Sequence, residues 1–327
     1  VGPSGDSALV RHPVVFFLFN RPDLTRLVFE VIRRAAPSTL YLIADGPRHE
    51  ADAPLCAEAR AVVQSVDWTC TVHTLFREQN LGCGLSVASG IDYVFEREEA
   101  AIFLEDDTFP SDSFFTFCDE LLDRYRSNPA IVHIGGVSFW ASRISTKESY
   151  YFSNYNQCWG GWATWKRAWS HYDFQLSDFP NPEMDRTLRS ISHNKSEYLY
   201  WRRAFELVQN GSIDTWDYQW TYACWKQQGL SIIPTVSLIK NLGFRSDASH
   251  SLTAHPLEMR VKNQEIRENI HPTKIERNKK LDRQTYNAFF KRSSWTIRES
   301  SRKILFQLYI IYKYTKNQVV KRLNLGD

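Results

Sequence analysis

Glu105-Asp106-Asp107 is the part of this 327-residue sequence best equipped for chemistry. Three carboxylates in a row repel one another unless a cation or hydrogen-bond donors compensate. A hard divalent ion, Mn²⁺ or Mg²⁺, takes a few carboxylates together with phosphate oxygens, and it neutralises a departing diphosphate. An isolated acidic triplet reads more simply as a solvated turn ahead of a helix. This one follows directly on an apolar run, residues 100–104, which marks the carboxyl end of a buried strand.

Three further runs end the same way. Residues 14–19 lead into Asn20-Arg21-Pro22, residues 40–44 into Asp45-Gly46-Pro47, and residues 71–76 into Arg77 and the turn Asn80-Leu81-Gly82. Between them lie helical patterns over 22–34, 57–66 and 85–96; Leu24, Leu27, Val28, Val31 and Ile32 mark one face of the first. Strands alternating with helices predict an α/β domain with a mostly parallel central sheet flanked by helices. Ligands in such sheets sit at the carboxyl ends of the strands, where all four polar clusters fall. No Gly-x-Gly-x-x-Gly follows the first strand, which argues against a dinucleotide oxidoreductase.

The second half is less regular. A helix over 111–127, a short strand over 131–134, a loop over 137–150, helices near 196–209 and 217–228, and a strand over 230–233 are expected, with charged helix after about residue 260. The chain holds 11 tryptophans, many of them between residues 140 and 225. An indole offers an apolar face and one N–H donor, so such rings serve equally as core or as platforms for sugars. The six cysteines are scattered with no Cys-x-x-Cys pair, which argues against a zinc ribbon and for buried thiols. No apolar run is long enough to cross a bilayer. The net charge of +3 hides a division: residues 260–327 hold 17 Lys/Arg against 6 Asp/Glu, leaving 23 against 31 in the remainder.

Taken in order, Phe19-Asn20-Arg21-Pro22, Ala44-Asp45-Gly46, Asn80-Leu81-Gly82, Leu104-Glu105-Asp106-Asp107, Trp159-Gly160-Gly161-Trp162 and Trp216-Asp217 resemble the inverting GT-A glycosyltransferases. The pattern is similar to the N-acetylglucosaminyltransferase I type and to bacterial family-two-like relatives, over roughly residues 13–250. The resemblance implies a GT-A, or nucleotide-diphospho-sugar transferase, fold. It divides the chain into a leader remnant over 1–12, a catalytic domain over 13–259 and a basic helical extension over 260–327. Residues 13–110 would form the nucleotide-binding half of the catalytic domain and 111–259 the acceptor half.

Residue by residue, Asp107 becomes the direct ligand of Mn²⁺ or Mg²⁺, with Glu105 and Asp106 on the ribose or donor sugar. Asn20, Arg21 and Asp45 would hold base and phosphates, with Arg77 beside them, and Asn80 and Gly82 would bring backbone close to the nucleotide. Ala44 stands where relatives often carry Ser or Gln. Asp217 is the candidate general base, which an inverting transfer needs to take the acceptor's proton; a helix-capping acid is the plainer alternative, and Asp214 is the nearest rival. Trp162 would wall the sugar site, against the alternative of a core tryptophan in a tight turn. His250 is a second candidate metal ligand, and Arg245 nearby could take a phosphate.

The implied activity is hexosyl transfer, with N-acetylglucosamine one candidate, from a UDP-linked donor to a glycan or lipid-linked glycan of a bacterial surface polysaccharide. A nucleotidyltransferase acting on sugar phosphates and a non-catalytic glycan-binding protein are the alternatives. Residues 293–323 read as a basic amphipathic helix suited to an anionic membrane surface, with packing on the protein or on a second copy as the alternative. That suggests a cytoplasmic protein peripheral on the inner face of the membrane. No nucleic-acid-binding module is recognisable.

Overall fold

The computed structural model describes residues 10–158, 160–243, 257 and 261–291. Two compact units are distinguished, residues 1–283 and 284–327. In the first, β1 (Val14–Leu18), α1 (Pro22–Ala35), β2 (Thr39–Ala44), α2 (Ala53–Val63), β3 (Thr71–Phe76), α3 (Cys83–Phe95) and β4 (Ala100–Glu105) follow in strict alternation. Then come β5 (Thr108–Pro110), α4 (Ser113–Arg124), β6 (Ile131–Gly135), β7 (Tyr150–Ser153), β8 (Trp162–Trp165) and α5 (Lys166–Trp169). The remainder comprises α6 (Pro182–Ile191), α7 (Lys195–Gln209), α8 (Asp217–Lys226), β9 (Leu230–Pro234), β10 (Ile239–Asn241) and α9 (Lys279–Thr285). The described part of the second unit, residues 284–291, holds the last two residues of α9 and a π-helical turn over Tyr286–Phe290.

Eight strands form one sheet in the order β3-β2-β1-β4-β8-β6-β9-β7, and β5 pairs with β10 in a separate ribbon. Strands β3, β2, β1 and β4 run parallel, as do β6 and β9; β8 lies antiparallel between β4 and β6, and β7 is antiparallel to β9. This is the mixed α/β sheet flanked by helices that the alternation of strands and helices predicts. The chain winds outward from β1 to β3 on one side and crosses to β4 on the other. The order therefore reverses between β1 and β4, which opens a crevice at their carboxyl ends.

Local sequence explains the elements that frame this crevice. Strand β1 is buried along its whole length, so it reads as an unbroken apolar run. Helix α1 starts with Pro22 at its first position and buries Leu24, Val28, Val31 and Ile32 on one side. Helix α3 begins after Gly82, whose φ of 81° is a backbone state that favours glycine. Val87 and Ile91 of α3 pack in one cluster with Phe17, Ile43, Phe103, Trp162, Trp216 and Trp220. Successive strand residues point to opposite faces, so Leu104 and Trp165 serve the other side. There the Trp165 indole donates to the Leu122 carbonyl of α4 at 3.0 Å.

The expected charged helix after residue 260 is not what forms over 261–278, which is largely irregular. This stretch closes the free edge of β7 instead. Asn278 donates its N–H to the Phe152 carbonyl at 2.8 Å, and buried Asp282 accepts from Ser153 Oγ at 2.6 Å, Asn154 N at 3.1 Å and Arg277 Nε at 2.5 Å. Those bonds satisfy an edge that would otherwise expose unpaired backbone groups. The basic segment 293–323 lies outside the described residues, as does His250. Among the described residues no helix is long and apolar enough to cross a membrane.

Candidate functional site

A cleft of about 680 Å³ opens at the β1/β4 crossover. One wall comes from the ends of β1 and β4, with Arg21, Glu105, Asp106 and Asp107. Asp45, Asn80 and Gly82 line it from the β2 and β3 side, and Asp214 through Asp217 come across from the start of α8. Among the described residues, six acids and two arginines, Arg21 and Arg48, thus face the same space.

The acidic turn is held by Arg21 and Thr108. The Arg21 guanidinium donates to Asp106 Oδ1 through Nη2 and to Asp107 Oδ2 through Nη1, the latter at 2.9 Å. Phe19 N–H adds a bond to Asp106 Oδ2 at 3.3 Å. Thr108 Oγ1 accepts from the Glu105 N–H at 2.9 Å and donates to the Glu105 carbonyl at 2.8 Å. Burial pushes the Glu105 carboxyl up to about 8, and the charges of Asp107 and Asp106 push the same way. Burial also raises Asp106, although Arg21 pulls it down. For Arg21, burial opposes the charge, but the two carboxylates outweigh it and hold the proton more firmly than usual. Arg21 is therefore the counter-ion of the turn.

Three sequence-read residues cross-link the neighbouring strand ends. Buried Asp45 accepts from Gly46 N, from Leu81 N and from Asn80 Nδ2, at 2.9, 3.0 and 2.9 Å. Burial raises its pKa against the pull of those backbone donors. The bonds fasten the 80–82 turn to β2 and so fix where α3 begins. Asp217, which lines the same cleft, is the first residue of α8, and its Oδ1 accepts from Thr215 Oγ1 and, at 2.9 Å, from Tyr218 N. Asp214 is exposed and lines the same cleft.

Other expected site residues are placed elsewhere. Asn20 is not among the lining residues; its Nδ2 donates to Asp52 Oδ1 at 2.8 Å. Arg77 is also outside, donating to Ser89 Oγ at 2.7 Å, so it braces β3 against α3. Trp162 is 3% exposed and stacks on Phe103, His133 and Trp216 at centroid distances of 4.5, 5.3 and 5.4 Å. That placement is a core ring in a strand, which corrects the expectation of a sugar wall. Sequence reading missed Arg48, Cys83, Ser86, Cys158 and Thr215, all on the cleft. Arg48 had a signal, as a cation two residues beyond the Asp45-Gly46 turn at a strand exit.

The described residues gather no three His, Cys, Asp or Glu side chains into a ready-made metal cage. They do fit a looser ion site. Among the described residues Asp107 Oδ1 accepts no hydrogen bond, and the described lining carries four more acids than bases. A hard ion that keeps waters and shares phosphate oxygens needs only one or two carboxylates from the protein.

No protein-family model matches the sequence, and no curated protein matches it. Among solved structures, 4-diphosphocytidyl-2C-methyl-D-erythritol synthase from Anaerococcus prevotii aligns at 8% identity and a TM-score of 0.31, over 50% of this chain and 75% of that one. UDP-glucose pyrophosphorylase complexed with UDP-glucose aligns at 8% identity and 0.29, over 49% and 78%. HddC from Yersinia pseudotuberculosis aligns at 10% identity and 0.32, over 52% and 86%.

Proposed function

We propose that this protein is a divalent-metal-dependent, inverting glycosyltransferase that moves a hexosyl group from a nucleotide-sugar, UDP-linked in the first instance, to a glycan hydroxyl. One observation carries the reading. The acidic turn after β4 and the Asp217 carboxylate at the start of α8 line a single cleft at the crossover of the sheet.

Asp107 would hold the ion through its Oδ1, and the ion, when bound, supplies the positive charge that a leaving diphosphate needs. A diphosphate entering a cleft whose described lining holds six acids and two arginines meets repulsion, which is the electrostatic reason to expect a cation with it. Asp217 would take the proton from the acceptor hydroxyl as that oxygen attacks the anomeric carbon. Attack from the face opposite the diphosphate inverts the configuration. Thr215 and the Tyr218 N–H hold one oxygen of Asp217 and so restrict its rotation.

The test is product analysis with nucleotide-sugars and glycan acceptors, followed by Asp217→Asn. Sugar transfer with release of a nucleoside diphosphate is expected, and the variant should lose about 10²–10⁴-fold in kcat with donor affinity nearly unchanged. Transfer of a nucleoside monophosphate with release of pyrophosphate would make the protein a nucleotidyltransferase instead. Equal losses in kcat and donor affinity would remove Asp217 from the chemistry.

A further inference from the structure

We propose that Arg48 binds the phosphate oxygens of the nucleotide in this cleft, and that Asp52 and Asn20 exist to hold it there. The inference rests on the cleft being a nucleotide site.

Among the described residues two cations line the cleft, and they differ in what they have left to give. Both terminal nitrogens of Arg21 are committed to Asp106 and Asp107. Arg48 uses only one edge of its guanidinium: Nε donates to Asp52 Oδ2 at 2.7 Å and Nη2 to Asp52 Oδ1 at 3.1 Å. Its third nitrogen, Nη1, donates to nothing among the described residues. The guanidinium carbon lies 5.0 Å from the Phe19 ring centroid, so an aromatic also bears on the group.

The seat of this arginine is built rather than incidental. Asp52 is 4% exposed, in contrast to the half-exposed side chain it grips. Asn20 Nδ2 donates to Asp52 Oδ1 at 2.8 Å, which fixes the carboxylate from a second direction. Arg48 with these bonds holds the Asp52 carboxyl down at about 2, so the carboxylate stays charged across the working pH range. Asn20 follows β1 and Asp52 precedes α2, so the three residues join two loops at the mouth of the crevice. A planar fork held along one edge presents its remaining N–H groups in a fixed direction, which suits phosphate oxygens. This also accounts for Asn20, which does not line the cleft itself: it is a positioning residue that acts through Asp52.

The experiment is calorimetric titration of wild type, Arg48→Gln, Arg48→Lys and Asn20→Ala with UDP and with uridine, Mn²⁺ present throughout. Arg48→Gln is expected to weaken UDP by about 10- to 100-fold, the range for a hydrogen bond to a charged group. Uridine binding should change by less than about two-fold, because the contact is to phosphate. Arg48→Lys, which keeps the charge and loses the fork, should fall between wild type and Gln and serves if Gln fails to fold. Asn20→Ala should weaken UDP alone and add nothing in the Arg48→Gln background, a non-additivity that a merely structural role would not give. Equal losses for UDP and uridine would overturn the phosphate assignment, and unchanged UDP affinity in both Arg48 variants would overturn the role of Arg48. Additive losses would overturn the role of Asn20. Wild type that binds no nucleotide would instead overturn the reading of the cleft, and this inference with it.

Discussion

Arg21→Gln should unmask how much of the stability of the sheet's central edge depends on one counter-ion. The Arg21 side chain is 14% exposed and that of Asp106 is 3% exposed, so the pair is largely out of water. Removing one partner of a buried pair leaves an uncompensated charge and costs roughly 3–5 kcal/mol. For a large domain each kcal/mol moves the melting point by about 2–4 °C, so a drop on the order of 10 °C is expected in a chelator. A divalent ion should then do what the guanidinium did. Because the variant frees both carboxylates, Mn²⁺ should raise the Tm of Arg21→Gln more than that of wild type, increasingly with concentration. Circular dichroism melts of both proteins, with chelator and across a Mn²⁺ series, read this directly. A variant that melts within a degree or two of wild type in chelator would refute the counter-ion argument. So would Mn²⁺ stabilising wild type more than the variant.

Two more expectations concern the core beside the cleft. His133 is fully buried, and burial lowers its pKa from 6.5 to about 3. Its Nδ1 accepts from the Trp220 indole at 3.2 Å, which puts the proton of the neutral ring on Nε2. The unfolded chain takes up a proton below about 6.5 and the folded one does not until about 3, so this stability is complete above 6.5 and lost as pH falls through that window. The loss is about 2 kcal/mol at pH 5. Denaturant titrations at pH 7.5 and 5 should show wild type losing that much more than His133→Asn, and equal losses would contradict the assignment. Trp162→Ala should cost roughly 3–5 kcal/mol as a core truncation. Donor affinity of the folded variant should hold in calorimetry; intact stability with lost affinity would return Trp162 to the sugar site.

Strands β1, β2 and β4 were legible because a strand buried on both faces is an apolar run, and the polar residue ending the run falls at a strand tip. That is why Asp45, Asp106, Asp107 and Arg21 could be read to one place. Which way a side chain turns after the strand ends is set by tertiary partners, so Asn20 and Arg77 were assigned to the cleft although Asp52 and Ser89 claim them. Trp162 is assigned to the sugar wall in the sequence reading because β8, buried on both faces, shows no polar alternation that would mark it as a strand. The preceding glycines serve packing: a Cβ on Gly160 would sit 2.6 Å from Val137, and one on Gly161 2.7 Å from Leu104 and Phe114. Strands β5, β7 and β10, at three or four residues, are too short for a periodic signal. The charged stretch over 261–278 resembles a helix until Phe152 and Ser153 offer its backbone and Asp282 better partners.

The proposed cation-mediated grip of the acidic turn on a diphosphate is tested most directly by calorimetry of the wild-type protein and Asp107→Ala against a panel of nucleoside diphosphates, with Mn²⁺ and with chelator. One nucleotide should bind wild type in Mn²⁺ and bind at least about ten-fold more weakly when either the ion or the Asp107 carboxylate is removed. Binding that is indifferent to both, or no binding by wild type at all, would contradict the account.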